Sequence, residues 1–191
     1  MTSPLTRHPP SPPAVDVVVR PAQPSDAAFL RRWRAEPAVR RYQPLHNVSV
    51  ARLRADLAAQ RPRDLYRGRG DRYTWMIEAD RERSGWITLA IVNWEHGLGE
   101  LGYALATRHH GRGTMTAALG QLLPELLLRT PLERLEARCA IDNDASRKVL
   151  EKLGFVREGK LRSYFVLQGR RTDHYLYALL RNDYIPRTVL R

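Results

Sequence analysis

The sequence has little cysteine and little lysine. Cys139 is the single cysteine among 191 residues, which excludes an intramolecular disulfide and a cysteine-built zinc site, so no covalent or metal staple supports the fold. Taken by itself, Cys139 reads as a small buried strand residue. Lysine occurs only at Lys148, Lys152 and Lys160, so nearly all of the 32 basic residues are arginine. Long apolar runs are also missing: the longest leucine-rich stretch, 122–128, contains Pro124 and Glu125, far short of the roughly 18 consecutive apolar residues that cross a bilayer. The opening MTSPLTRHPPSPPA has no apolar segment of the roughly 7 to 15 residues that a secretory signal requires, and the expected location is the cytoplasm. Acidic residues number 20, leaving a net charge of +12 and a pI near 10.6. Such a surface attracts nucleic acid, the ribosome, acidic proteins or a phosphorylated cofactor, although an arginine-biased proteome gives the same charge with no partner.

What is present suits one ordinary globular domain. Hydrophobic residues make up 43% and charged residues 27%, near the roughly 45–50% and 25% typical of folded proteins. Five prolines in residues 1–14 predict a disordered, solvated tail, followed by one domain over 15–185 and a short tail at 186–191. The β-branched VDVVVR (15–20) predicts a strand. Ser25 or Asp26 can cap a helix over 25–36 that carries Phe29, Leu30 and Trp33 and ends at Pro37. A second helix over 49–61 follows, and the arginine-rich 61–72 reads as a mobile basic connection. Runs at 72–79, 85–94 and 99–106 predict an antiparallel meander. A helix over 114–129, kinked at Pro124, leads to a strand at 135–140, a helix at 145–153 and a terminal hairpin turning at Gln168-Gly169.

Candidate chemistry concentrates around the third meander strand. Alternation places Leu101, Tyr103 and Leu105 on one face and Glu100, Gly102, Ala104 and Ala106 on the other. The second face thus carries one carboxylate in a row of small residues, open either to a ligand or to a closely packed helix. The strand runs into Arg108-His109-His110-Gly111-Arg112-Gly113-Thr114. A helix start offers free amides and a positive dipole end, and glycines let a phosphate approach them, so this is a candidate pyrophosphate cradle with Arg108 and Arg112 adding charge. Two glycines before a helix also occur for conformational reasons alone. The stretch lacks the third glycine of a dinucleotide fingerprint and the Gly-Lys-Ser/Thr of a P-loop. His109 and His110 are adjacent, badly placed as a metal pair, and read as exposed loop residues.

About thirty residues later stands Asn143-Asp144-Ala145-Ser146, continuing to Leu150, Gly154 and Phe155. R-x-x-G-x-G at a helix start, then a strand, then N-x-x-S-x-x-x-L-x-x-x-G-F, resembles the GNAT family of acetyl-CoA-dependent N-acyltransferases. Within it the chain is similar to the branch holding the RimJ and RimL enzymes, which acetylate protein N-termini, notably of ribosomal proteins. The resemblance covers about residues 15–184, including VVRPAQPSDAAFLRRW, GELGYAL and GRRTDHYLYALL.

The resemblance implies an α/β (α+β) three-layer fold with a mixed, mostly antiparallel sheet of about seven strands and helices on both faces. It further implies that the strand at Tyr103, Ala104, Leu105 and Ala106 splays from its neighbour and pairs with the pantetheine arm of acetyl-CoA. Arg108 to Thr114 would then receive the pyrophosphate, Asn143 would bond the pantetheine, and Ser146 would lie near the sulfur and stabilise or protonate the leaving thiolate. Backbone amides near Leu105 would stabilise the oxyanion. Glu100 is the first candidate base and Tyr164 a candidate acid. Where some relatives of this type place a glutamate, the chain reads Arg162-Ser163-Tyr164-Phe165-Val166. No metal is required. The acceptor is an amine. Neutralising an α-amine at pH 7 costs about 1 kcal/mol against about 4.6 kcal/mol for lysine, so a site without a strong base favours a protein N-terminus, and a small amine of low pKa fits equally. A non-catalytic acyl-CoA-binding or RNA-binding module is the rival class. A homodimer is compatible with the sequence, which identifies no interface.

Overall fold

The computed structural model describes residues 15–184. The expected tails, residues 1–14 and 186–191, lie outside the described residues. The elements run β1 (Val17–Pro21), a 3-10 turn (Pro24–Asp26), α1 (Ala27–Trp33), α2 (Pro37–Arg40), α3 (Val50–Ala59) and α4 (Pro62–Leu65). They continue with β2 (Arg72–Ala79), β3 (Glu82–Asn93), β4 (Leu98–Leu105), a 3-10 turn (Thr107–His109), α5 (Thr114–Arg129), β5 (Arg134–Ala140), α6 (Asp144–Lys152), β6 (Val156–Leu167) and β7 (Arg170–Leu180). A last 3-10 turn spans Arg181–Asp183.

The seven strands form one sheet in the order β1-β2-β3-β4-β5-β7-β6. Every pairing is antiparallel except β4 with β5. The period-2 pattern of each strand divides its side chains between two cores. Tyr73, Trp75, Ile77, Ile87, Leu89, Leu101, Leu135 and Tyr177 meet the leucines of α5 and Leu150 of α6 on one face. Met76, Trp86 and Ala104 face Leu30, Trp33 and Leu57 of α1 and α3 on the other. There Trp33 stacks on Trp86, with ring centroids 6.4 Å apart and planes 4° from parallel. This is the sheet with helices on both faces that the sequence implied.

Several boundaries differ from expectation. Asp80 and Arg81 both take positive φ, 52° and 66°, making a two-residue turn whose twist suits a hairpin. β3 therefore starts at Glu82 rather than at 85. The Gln168-Gly169 turn has the same two positive φ values, 50° and 78°. Pro37 opens α2 instead of only ending the helix before it, since the first helical position needs no N–H. Residues 61–72 are held in place: Leu65 is buried, and Trp94 Nε1 donates to Gly70 O at 2.7 Å. α5 passes through Pro124 as a single helix.

Asp26 ties the first crossover to the sheet. Its side chain is 0% exposed and accepts from Arg20 at 2.7 and 3.0 Å, Arg83 at 2.8 Å and the Gln23 amide at 2.8 Å. Burial alone raises the carboxyl's pKa, but bonds from Arg20, Gln23 and Arg83 outweigh it and hold it down at about 2. A depressed carboxylate contributes stability that is complete above its unfolded value of 3.8 and is lost as pH falls towards 2. Asp26→Asn, which leaves two guanidiniums without their buried counter-ion, is expected to lower unfolding free energy by about 3 kcal/mol in urea titrations at pH 7. The deficit should shrink near pH 2.

Candidate active site

Pairing between β4 and β5 runs only from Leu98–Leu101 against Arg134–Ala137. Beyond it, Gly102–Leu105 stay with β3, while Arg138–Ala140 stay with β7. The two strands diverge because each feeds a different helix on the same face, β4 into α5 and β5 into α6. The Ala106 amide donates to Ser84 O at 2.8 Å. The alternation of an antiparallel ladder then directs the backbone groups of Gly102, Ala104 and Ala106 to β3, and those of Tyr103 and Leu105 into the gap. Gln43 Nε2 donates to Tyr103 O from the segment after α2, and a His110 ring nitrogen meets Leu105 O at 3.0 Å.

A cleft of about 970 Å³ follows this gap, from Gly111, Gly113 and Thr114 at the head of α5 to the α1–α3 layer. Gly111 and Gly113 have φ of 76° and 75°. A Cβ on either would meet nothing within 4 Å, so the backbone's hand, not crowding, calls for glycine there. Behind them the Thr114 hydroxyl is buried and, among the described residues, without a hydrogen-bond partner.

The charged members of the expected cradle depart from it. Arg112 reaches Asp80 at 2.7 Å, and Arg108 reaches Glu82 at 3.3 Å and the His109 ring at 2.9 Å. Neither arginine lines the cleft, nor does His109. Acidic residues of the β2–β3 turn hold both guanidiniums, a contact between segments about thirty residues apart that motif spacing does not reveal. His109, expected exposed, is 4% exposed. His110 is exposed and lines the cleft, as do Tyr103, Ala104 and Leu105, whereas Ala106 is buried against the α1–α3 core.

Asn143 caps α6, its Oδ1 accepting from the Ser146 amide at 3.1 Å, which leaves its NH2 for other acceptors. Ser146 Oγ lies 2.8 Å from the Tyr103 hydroxyl. Burial raises the pKa of that phenol well above its ordinary value, so it stays protonated. Cys139 is buried alongside, its thiol also raised by burial and lowered in part by Ser146.

Glu100 lines the cleft, paired with Arg138. Arg138 also approaches Glu136 at 3.5 Å, and Arg134 continues the row between Glu136 and Glu158. Tyr164 is 38% exposed and does not line the cleft. Its ring lies against Phe165, His174 and the Arg138 guanidinium. Ser163 beside it has φ of 52° in a β6 bulge, which displaces Tyr164 from the regular alternation. The arrangement does not bring Tyr164 together with Ser146, Asn143 and Glu100 at the wall of the cleft.

Sequence reasoning missed Gln43, Trp86 and His174, all of which line the cleft. His174 is 1% exposed, with Nδ1 3.4 Å from Thr172 O and Nε2 without a partner among the described residues. The available signal was a lone histidine within an alternating strand. Tyr103 was placed on the correct face, but its bond to Ser146 depends on how α6 crosses the sheet.

A sheet opened at its parallel pair, with a glycine-bearing helix start at the mouth, defines the acyltransferase class that the motifs implied. Residues 16–156 match the acetyltransferase (GNAT) domain, and the chain belongs to that family. It is 31% identical over 172 residues, 88% of this chain and 94% of the other, to the uncharacterized N-acetyltransferase p20 of Bacillus licheniformis. It is also 31% identical over 110 residues to the ribosomal-protein-serine acetyltransferase of Escherichia coli, a match spanning 58% of this chain and 62% of that one. Mycobacterium smegmatis RimJ, solved in complex with CoA-disulfide, superposes with a TM-score of 0.75 at 29% identity, covering 88% of this chain and 83% of that chain.

Burial holds the pKa of both His174 and His109 below the ordinary 6.5, with Arg108 adding to the effect at His109. As pH falls the unfolded chain takes up these protons first, so the stability tied to two neutral imidazoles is present above pH 6.5 and is lost below it. NMR titration of the ring protons is expected to give midpoints below 6.5 for both. A midpoint at or above 6.5 for His174 would show that its ring is not buried as described.

Proposed function

We propose that this acetyltransferase moves the acetyl group of acetyl-CoA to a primary amine, the N-terminal α-amine of a protein or peptide, by direct attack on the thioester. The observation that carries the reading is the end of β4–β5 pairing at Leu101 and Ala137, with the Gly111–Thr114 helix start at the mouth of the gap. The residues fit the cosubstrate: Tyr103 and Leu105 turn amides into the gap, the two glycines leave open space before free helix amides, and the Thr114 hydroxyl lacks a partner among the described residues. When bound, acetyl-CoA supplies an activated acyl carbon and a thiol leaving group.

The chain's own groups then have distinct roles. The gap-facing N–H of Tyr103, the one nearer Glu100, donates to the carbonyl oxygen of the thioester. Asn143 offers its NH2 to the pantetheine. Ser146 donates to the departing sulfur, and the protonated Tyr103 phenol behind it fixes the hydroxyl's orientation. Glu100, held at the cleft wall by Arg138, takes the amine's proton through water. An α-amine suits such a site because neutralising it near pH 7 costs only about 1 kcal/mol. The likeness to an enzyme named for ribosomal-protein serine supports a ribosomal protein as acceptor.

Mass spectrometry of a pooled reaction with acetyl-CoA, peptides of varied free N-termini and a panel of small amines tests the reading. A gain of one acetyl group on peptide α-amines is expected. A gain confined to small amines would replace the acceptor class, and no product on any amine would favour the non-catalytic module.

Variants separate the roles. Ser146→Ala is expected to lower kcat about a hundredfold with acetyl-CoA affinity nearly unchanged. Gly111→Asp is expected to weaken acetyl-CoA binding about tenfold, through a like charge and a side chain at positive φ. Full turnover in the first variant or full affinity in the second would refute that role.

A further inference from the structure

The acceptor end of the cleft carries charge that the transfer reaction does not use. Four arginines line the cleft: Arg34, Arg41, Arg72 and Arg138. Arg138 is paired with Glu100 and Glu136, and Arg41 lies 3.7 Å from Asp142. Asp56, an acidic residue of the same end, is taken by Arg52 at 2.8 Å. Among the described residues, no ion pair or hydrogen bond engages the Arg34 or Arg72 guanidinium. Arg34 is half-buried, and burial followed by repulsion from Arg72 and Arg31 lowers its pKa. Elsewhere the charged side chains that hold the fold are matched, as Asp26 is by Arg20 and Arg83. Two like charges facing one cleft without a counter-ion are unfavourable in the free protein and favourable once an anion sits between them.

Their place follows from the sheet register. Arg72 pairs with Ala90, and Ala90 with Glu100, so the three form one row across β2, β3 and β4. Alternation puts all three on the α1–α3 face, with Thr74, Thr88 and Gly102 in the next row of that face. Only the methyl of Ala90 stands between Arg72 and Glu100, whose strands are two spacings, about 10 Å, apart. Leu105 and the cradle beyond it lie five residues further along β4, roughly 17 Å from this row. Arg72 is therefore placed away from the pyrophosphate end and towards the amine.

We propose that Arg34 and Arg72 form a carboxylate-binding subsite that selects acceptor peptides with an acidic residue within the first few positions after the reactive N-terminus. The inference rests on the acetyltransferase reading for the position of the amine. An extended peptide rises about 3.3 Å per residue, so a carboxylate about 10 Å from an amine near Glu100 belongs to the second to fourth residue. The same carboxylate chemistry could come from a free acidic amino acid, but its carboxylates lie too near its amine to bridge that distance.

The test is calorimetric titration of the purified protein, in the presence of CoA, with C-terminally amidated peptides that begin Ser-Asp-Glu or Ser-Gln-Gln and are otherwise identical. The acidic peptide is expected to bind about tenfold more tightly. Arg72→Glu and the double variant Arg34→Gln/Arg72→Gln should reduce that preference to less than about twofold, with CoA affinity unchanged. A peptide beginning Ser-Lys-Lys should gain affinity for Arg72→Glu. Equal binding of the acidic and neutral peptides, or a preference that survives Arg72→Glu, overturns the subsite whether or not either peptide is acetylated. Free glutamate binding as tightly as the acidic peptide overturns the peptide assignment. Failure of acetylation with the preference intact would count against the transfer reaction and not against the subsite.

Discussion

The rest of the molecule depends on one interruption in the sheet: β4 and β5 hydrogen-bond for four residues each and then part. Parallel strands are joined by crossovers, so each must hand the chain to an element on a sheet face. Here β4 hands it to α5 and β5 to α6, both packed in the same core. Because the helices start side by side over the gap, the amides of Tyr103 and Leu105, the cap of α6 and the free head of α5 converge on one cleft. Tyr103 reaches across to Ser146 at 2.8 Å, so a side-chain bond ties β4 to α6 where the backbone ladder has ended.

Electrostatics are arranged around that opening in an uneven way. The chain carries a net charge of +12, yet much of its arginine is locally neutralised. Arg20 and Arg83 surround Asp26, Arg108 and Arg112 lean on the β2–β3 turn, and Arg134 and Arg138 alternate with Glu136, Glu158 and Glu100 across the sheet. The pairs at the turn engage the two arginines that the motif offers to a phosphate, and backbone amides and the Thr114 hydroxyl stand at the mouth of the cleft. Among the described residues, positive charge without a partner faces the cleft at Arg34 and Arg72, where the acidic subsite is proposed. Net charge alone would have assigned the attraction to any polyanion; its distribution favours a small acidic group beside the amine.

Local features were legible wherever neighbouring residues decide them. The Gln168-Gly169 turn and the alternating faces of β4 each follow from a few adjacent side chains, and each appears where expected. Glycine at 111 and 113 was legible for the same reason, since positive φ is a property of one residue. The structure differs from local expectation where distant segments compete. The motif offers Arg108 and Arg112 to a phosphate, and the carboxylates that pair with them, Glu82 and Asp80, stand about thirty residues away in the sequence. His109 was read as exposed because its burial depends on the packing of other segments around the loop. Tyr164, the candidate acid, lies outside the cleft lining, where the bulge at Ser163 displaces it from the regular alternation of β6. Leu65 was assigned to a solvated connection although it belongs to the α5-side core.

By itself the sequence determined the family, the order of the strands and longer helices, the two faces of β4 and the glycine-bearing start of α5, since periodicity and turn chemistry act over a few residues. Only the tertiary structure decided where β4 and β5 part, which carboxylates hold which arginines, that Tyr103 backs Ser146, and that His174 is buried in the cleft wall. Those outcomes are set by contacts between residues far apart in the chain, such as Tyr103 with Ser146 and Arg138 with Glu100, and their partners are chosen by register and crossing geometry that local patterns do not encode.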